Sequence, residues 1–156
     1  MKPDIYLNDQ SVSELGWLRE NVSFPTPQSQ TNTIIVPGRN SPIRFTEALG
    51  RVSYKPRSFS ITLSVLCSRA DFDRKCAELA NTYAGRLTHV TTSEEPEYYI
   101  VGTLEMTPSY DPLLGKGQMV ISCDDADAYR YHSGETIIVI SGSRTATLNC
   151  DYMPVV

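Results

Sequence analysis

The sequence predicts an α+β domain, mainly antiparallel β, with a single α-helix covering a sheet. Three observations carry this. Between residues 57 and 67, Phe59, Ile61, Leu63, Val65 and Cys67 share one phase and Ser58, Ser60, Thr62, Ser64 and Leu66 the other. That period of two describes a strand with one apolar face and one mostly hydroxylated face. Directly afterwards Phe72, Cys76, Leu79, Ala80 and Tyr83 recur at helical spacing. The other apolar runs are short and bounded by Pro, Gly, Asn or Ser, giving roughly eight to ten strands around a single helix.

Taken in order, Ile5–Leu7 reads as a first strand, turned by Asn8-Asp9-Gln10. Residues 11–16 suit a single helical turn or a loop, and 17–23 return to extended character. Pro25, Pro27 and the polar run 28–32 form a loop with no core-forming residue. Residues 33–36 make a short strand that stops at Pro37-Gly38-Arg39-Asn40. Ile43, Phe45 and Ala48-Leu49 form a further apolar patch closed by Gly50. A segment so rich in Pro, Gly, Asn and Ser packs poorly as regular sheet, so 25–50 is expected to be an extended arm or long hairpin.

The helix has clear ends. Ser68 and Asp71 form an S-x-x-D capping pattern, Asp71 and Asp73 suit the positive end of the first turn, and Gly85 supplies the stop. Residues 87–92 form a strand, 94–97 an acidic turn, and 98–107 a strong strand with Ile100, Leu104 and Met106 on one face. Gly102 on that face signals a bulge or a close backbone approach. A turn over 108–117 leads to a returning strand, 118–124, with Met119, Ile121 and Cys123 inward, making an antiparallel hairpin. The acidic stretch 124–129 closes the main domain near residue 131. Residues 135–141 and 144–150, joined at Gly142, begin a further β element within 132–156.

The totals narrow the function. At 156 residues the chain is long enough for one domain with a proper core. A net charge of −4 argues against tight binding to nucleic acid or an anionic membrane. The N-terminus lacks a basic-then-apolar signal pattern, so synthesis in a cytoplasm is expected, and no apolar run approaches a membrane span. No metal or cofactor motif is present. Cys67, Cys76, Cys123 and Cys150 have no metal-ligand spacing and fall in phase with apolar neighbours, so they read as buried, reduced thiols. His89 and His132 have no partner at ligand spacing. Asp124, Asp125 and Asp127 lack the glycine and distal glutamate of a calcium loop, and Gly115-Lys116-Gly117 lacks the frame of a phosphate loop. A hydrolase using Cys67 or Cys150 with a histidine would need an accessible thiolate, which apolar phasing opposes. The nine tyrosines leave a monomeric β-rich carbohydrate- or protein-binding module open as an alternative.

Ordered words along the chain resemble one known family. Ile5-Tyr6-Leu7-Asn8-Asp9 with Ser13-Glu14-Leu15-Gly16, then Val36-Pro37-Gly38-Arg39-Asn40 and Phe45-Thr46-Glu47-Ala48-Leu49-Gly50, resemble the distal tail (Dit) proteins of long-tailed phages. So do Asp71-Phe72 through Leu79-Ala80-Asn81, the Tyr98-Tyr99 strand, and Cys123 to Tyr129. The likeness spans about 4–131. It implies a tail-tube-like fold (split barrel or sandwich with one flanking helix) and a structural role without catalysis, metal or cofactor. It further implies a homo-oligomeric ring, usually a hexamer, joining the tail tube to the baseplate or tail tip while DNA passes through. Such a protein belongs to the virion tail and is assembled in the host cytoplasm. Six copies would carry −24 in formal charge, six times −4, suiting a conduit that must not hold phosphate. Pro37, Gly38, Arg39, Asn40, Arg44, Glu47 and Arg51 are the candidate inter-subunit contacts. Many members add a C-terminal β-sandwich, and residues 151–156 resemble the entrance to one.

Overall fold

The computed structural model describes residues 2–45 and 50–134. In chain order they form β1 (Ile5–Leu7), β2 (Gln10–Ser11), β3 (Leu18–Ser23), β4 (Thr33–Ile34), β5 (Ile43–Arg44) and β6 (Arg57–Leu66). There follow α1 (Arg69–Tyr83), β7 (Leu87–Thr92), β8 (Glu95–Thr103), β9 (Glu105–Asp111), β10 (Lys116–Ala126) and β11 (Tyr131–His132). One sheet runs β11-β8-β7-β1-β2, a second β3-β6-β10-β9, and β4 and β5 pair only with each other. Every ladder between these strands is antiparallel. The α+β, mainly antiparallel class expected from the sequence is the class found.

Strand β6 is central because its alternation lets it pair on both sides while burying one face. It lies between β3 and β10, and its apolar phase (Phe59, Ile61, Leu63, Val65) is buried. Opposite it, Ile5, Leu7, Val90 and Ile100 project from the five-stranded sheet into the same core. Met119, Ile121 and Cys123 of β10 are buried as expected.

Helix α1 closes one side of this core with Phe72, Leu79 and Tyr83. Ser68 is the N-cap, its hydroxyl accepting from the Asp71 amide at 3.3 Å, so the capping pattern marks the true start. The Tyr83 hydroxyl donates to the Leu7 carbonyl (3.2 Å) and to Gln10 Oε1 (2.9 Å), and Lys75 Nζ donates to the Leu15 carbonyl (2.9 Å). These bonds fix the helix to the β1–β2 hairpin and to the loop after it. At the other end the Phe72 ring lies against Gly117 of β10, where a β-carbon would collide with it. Gly117 therefore sets how closely the helix approaches the sheet.

Several expectations are corrected. The run 98–107 is not one strand. It divides at Leu104, where the chain passes from the five-stranded to the four-stranded sheet. Gly102 makes the crossing possible: a β-carbon there would strike Cys123 Sγ and Ala126. Leu104 is fully buried, and its carbonyl accepts from the Gly85 amide at 2.8 Å. The turn expected over 108–117 is confined to the residues between β9 and β10. Pro108 stays extended because β9 is an edge strand, where a missing N–H costs little. The acidic turn is likewise shorter, since Glu95, Pro96 and Glu97 already belong to β8. Strand β4 stops at Ile34, not at residue 36. Cys123 is buried, but Cys67 and Cys76 are half-buried, so the thiols are not uniformly interior. Cys150 and the strands expected over 135–141 and 144–150 lie outside the described residues.

Among the described residues, buried side-chain nitrogens without a hydrogen-bond partner occur on Arg57 and, at Nε, on Arg130. Arg57 is 3% exposed, and its Nε and Nη1 make no hydrogen bond. Burial, reinforced by nearby Arg130, holds its guanidinium below the ordinary arginine pKa.

Candidate assembly interface

Between β3 and β6 the chain leaves the body as a hairpin. Its base is held by two aromatic contacts: Phe24 on Phe59, with ring centroids 5.2 Å apart, and Tyr54 edge-on to Tyr129 at 6.0 Å. The two limbs then bond to each other. Lys55 donates its amide to the Gln28 carbonyl (2.8 Å), Gln30 to Ser53 (2.7 Å) and Phe45 to Asn32 (2.8 Å). Thr33 pairs with Arg44 and Ile34 with Ile43. The tip follows from its residues. Pro37 presets one turn position, Gly38 takes the positive φ of +83° required at the next, and the Arg39 amide donates to the Val36 carbonyl at 3.1 Å. This is a type II turn, and few dipeptides other than Pro-Gly specify it as strongly.

Beyond its base, every residue of the arm from 31 to 42 is exposed. Ile34 is 55% exposed, Ile35 83%, Val36 38% and Phe45 42%. Scattered exposed leucines are ordinary, but four large apolar side chains on one thin hairpin form a sticky surface. Its charge contrasts with the rest. Residues 25–56 contain Arg39, Arg44, Arg51 and Lys55 against the single acid Glu47, a net of +3, leaving −7 for the remaining residues of the −4 chain. The arm is thus basic and apolar, and the rest of the chain is acidic.

The structure places Pro37, Gly38, Arg39 and Asn40 together at the exposed tip, Arg44 exposed on β5, and Arg51 exposed on the returning limb. Glu47 lies outside the described residues. The apolar members Ile34, Ile35 and Phe45 were not among the sequence candidates, because β-branched and aromatic residues in a strand-like run read as core. The signal against burial was their setting between polar, Pro- and Gly-rich flanks.

The chemistry-bearing residues are dispersed. His89 and His132 belong to the five-stranded sheet, whereas Cys67 follows β6 in the other sheet. Burial pushes the Cys76 and Cys123 thiols up to about 11, with neighbouring Asp73 and Asp125 respectively adding to the shift. That opposes nucleophilic use of either. Among the described residues no cluster of His, Cys, Asp or Glu could hold a metal ion. Asp125 instead accepts from the Thr103 amide at 2.9 Å, and Asp127 from the Tyr131 hydroxyl at 2.8 Å. No described helix is long and apolar enough to cross a membrane.

Two antiparallel sheets flanked by one helix place the chain in a known fold class: the fold is Dit-like. Among solved structures it matches the crystal structure of SPP1 Dit, named as a paradigm of the hub adsorption apparatus in phages that infect Gram-positive bacteria. The TM-score is 0.66 at 15% sequence identity, over 85% of this chain and 53% of that one. The chain thus spans about half the length of the Dit protein it matches. No protein-family model matches the chain, and no curated protein does.

Proposed function

We propose that this chain is a structural component of a phage or prophage tail: the ring-forming part of a distal tail hub. Residues 1–131 build the ring and 132–156 begin a C-terminal β element. The hub, a hexamer on this reading, joins the tail tube to the baseplate or tail-tip proteins. It works by assembly, not turnover. Its acidic subunits leave passing DNA unbound, and it resides in the virion tail after assembly in the host cytoplasm. The single observation that carries the reading is the unpacked hairpin arm on an otherwise closed Dit-like core.

The arm acts in two ways on this account. Its apolar side chains lose water only when a neighbouring copy covers them, which supplies the association free energy. Pro37, Gly38, Arg39, Asn40, Arg44, Glu47 and Arg51 then set register against the acidic neighbour. Deleting 25–50, with the ends rejoined by a short Gly-Ser linker, tests it. The intact chain should sediment as a ring-sized species at high concentration and the deletion variant as a folded monomer. Equal sedimentation of the two would refute the role of the arm.

A further inference from the structure

We infer that a cleft at the base of the arm, lined by three tyrosines and two aspartates, is a guanidinium socket that takes Arg39 from the arm of a second copy. The inference rests on the ring-forming reading and names one contact by which a subunit holds the next.

The cleft has a volume of about 230 Å³ and is lined by Tyr54, Pro56, Asp125, Asp127, Tyr129 and Tyr131, with two alanines between them. Three stretches of chain meet there. Tyr54 comes from the returning limb of the arm, where it is bridged to Ser29. Strand β10 ends in a bulge between Cys123 and Ala126, which leaves Asp125 out of register with β6 and exposed. Tyr131 opens β11. Tyr54 and Tyr129 meet edge-on with their planes 83° apart, so the two rings form a corner. An edge-on contact takes up a single ring face and leaves the others for a ligand.

The lining selects the ligand. Small-molecule sites run to about 300–1,000 Å³, so this cleft suits one long side chain rather than a free cofactor. It presents two carboxylates and no Lys or Arg, which calls for a cation. Among the described residues no cluster could hold a metal ion, so the cation is organic. Aromatic walls beside carboxylates favour a guanidinium, which lies flat on a ring while its fork meets a carboxylate; an ammonium is held more tightly by water. Both carboxylates are oriented in advance. The Thr103 amide donates to Asp125 at 2.9 Å and the Tyr131 hydroxyl to Asp127 at 2.8 Å. Each still has lone pairs to offer, and less freedom is lost on binding.

The arm supplies the occupant. Arg39 is exposed at its tip and joins no ion pair among the described residues. Its own cleft is out of reach. The tip stands about ten residues beyond the Gln28–Lys55 pair at the base, on the order of 30 Å of extended chain. A tip that enters the base of the next copy repeats from subunit to subunit, as a head-to-tail contact that closes a ring must. The arm's +3 against −7 for the rest favours the same pairing.

Two measurements test this. At a dilution where the chain is a protomer, NMR titration with N-acetylarginine methylamide should shift the Tyr54 and Tyr129 ring resonances with a Kd on the order of 1 mM. The neutral citrulline analogue should not. In sedimentation, Arg39→Gln and Asp127→Asn should each raise the concentration for half-assembly about tenfold, and the double variant by no more than about tenfold, because both remove one contact. The melting temperature of Asp127→Asn should hold, since its side-chain oxygen still accepts from Tyr131. Equal response to the two analogues, or additive effects at 39 and 127 in a chain that assembles, would overturn the socket while leaving the ring. A chain that stays monomeric would overturn the occupant together with the ring.

Discussion

Replacing Ile34 and Ile35 together by aspartate separates the protomer's stability from its capacity to assemble. The two side chains are 55% and 83% exposed, so within one copy they contribute little and the melting temperature should stay within about 1 °C. In an assembled ring, covering that exposed surface is worth about 2–4 kcal/mol per arm at 1.5–3 kcal/mol for each fully buried side chain. Losing it weakens each subunit contact between about 30-fold and 1,000-fold. Burying two carboxylates in the same place adds a further cost. Sedimentation velocity across a concentration series reads the shift, and thermal melting of the same samples reads the protomer. Unchanged assembly would refute the reasoning. So would a large fall in melting temperature, because it would mean that the arm belongs to its own core.

Three further outcomes concern the body. Gly117→Ala should destabilise by about 1–3 kcal/mol in urea unfolding, since the new methyl must displace the Phe72 ring from β10; a neutral result would deny that close approach. Arg57→Met should leave stability unchanged or raise it by about 1–3 kcal/mol, because it removes a buried cation whose Nε and Nη1 have no acceptors. Marked loss of stability in that variant would point to a partner for the guanidinium. Burial pushes the Asp4 carboxyl up, but donors from Ser11, Ile5 and Ser13 outweigh it and leave the pKa below the ordinary aspartate value. A lowered folded pKa means that this stabilisation is present above about pH 4 and is lost as the pH falls through the folded value. The urea midpoint should therefore drop as the pH falls below about 4, and drop less in Asp4→Asn; equal acid sensitivity would assign the loss to other groups.

Where local chemistry alone decides a feature, the sequence was sufficient. The alternation of β6, the Ser68 cap, the Gly85 stop and the Pro37-Gly38 turn depend on neighbours within a few residues, and all stand where the pattern puts them. The crossing at Leu104 was not legible in that way. An uninterrupted β-rich run looks the same whether it stays in one sheet or passes to a second, and only the three-dimensional fit of Gly102 against Cys123 separates the two cases. Gly102 was recognised as a close approach, but what it approached was hidden. Trp17 and Val12 are nearly or fully buried although they sit in or beside a stretch read as loop. The turn that inserts them has no periodic signature. At the arm, the charged and turn residues were legible in the sequence but the apolar ones were not. Exposure of Ile34 and Ile35 follows from the hairpin pairing only with itself, a fact of topology.

Cryo-electron microscopy of the purified chain at high concentration tests most directly whether the arm recruits identical copies. The account predicts a closed ring with an open centre, in which residues 30–45 of each subunit lie against the acidic body of the next. A map of separate protomers with the hairpin folded over its own sheets, or of a ring whose contacts omit the arm, would contradict it.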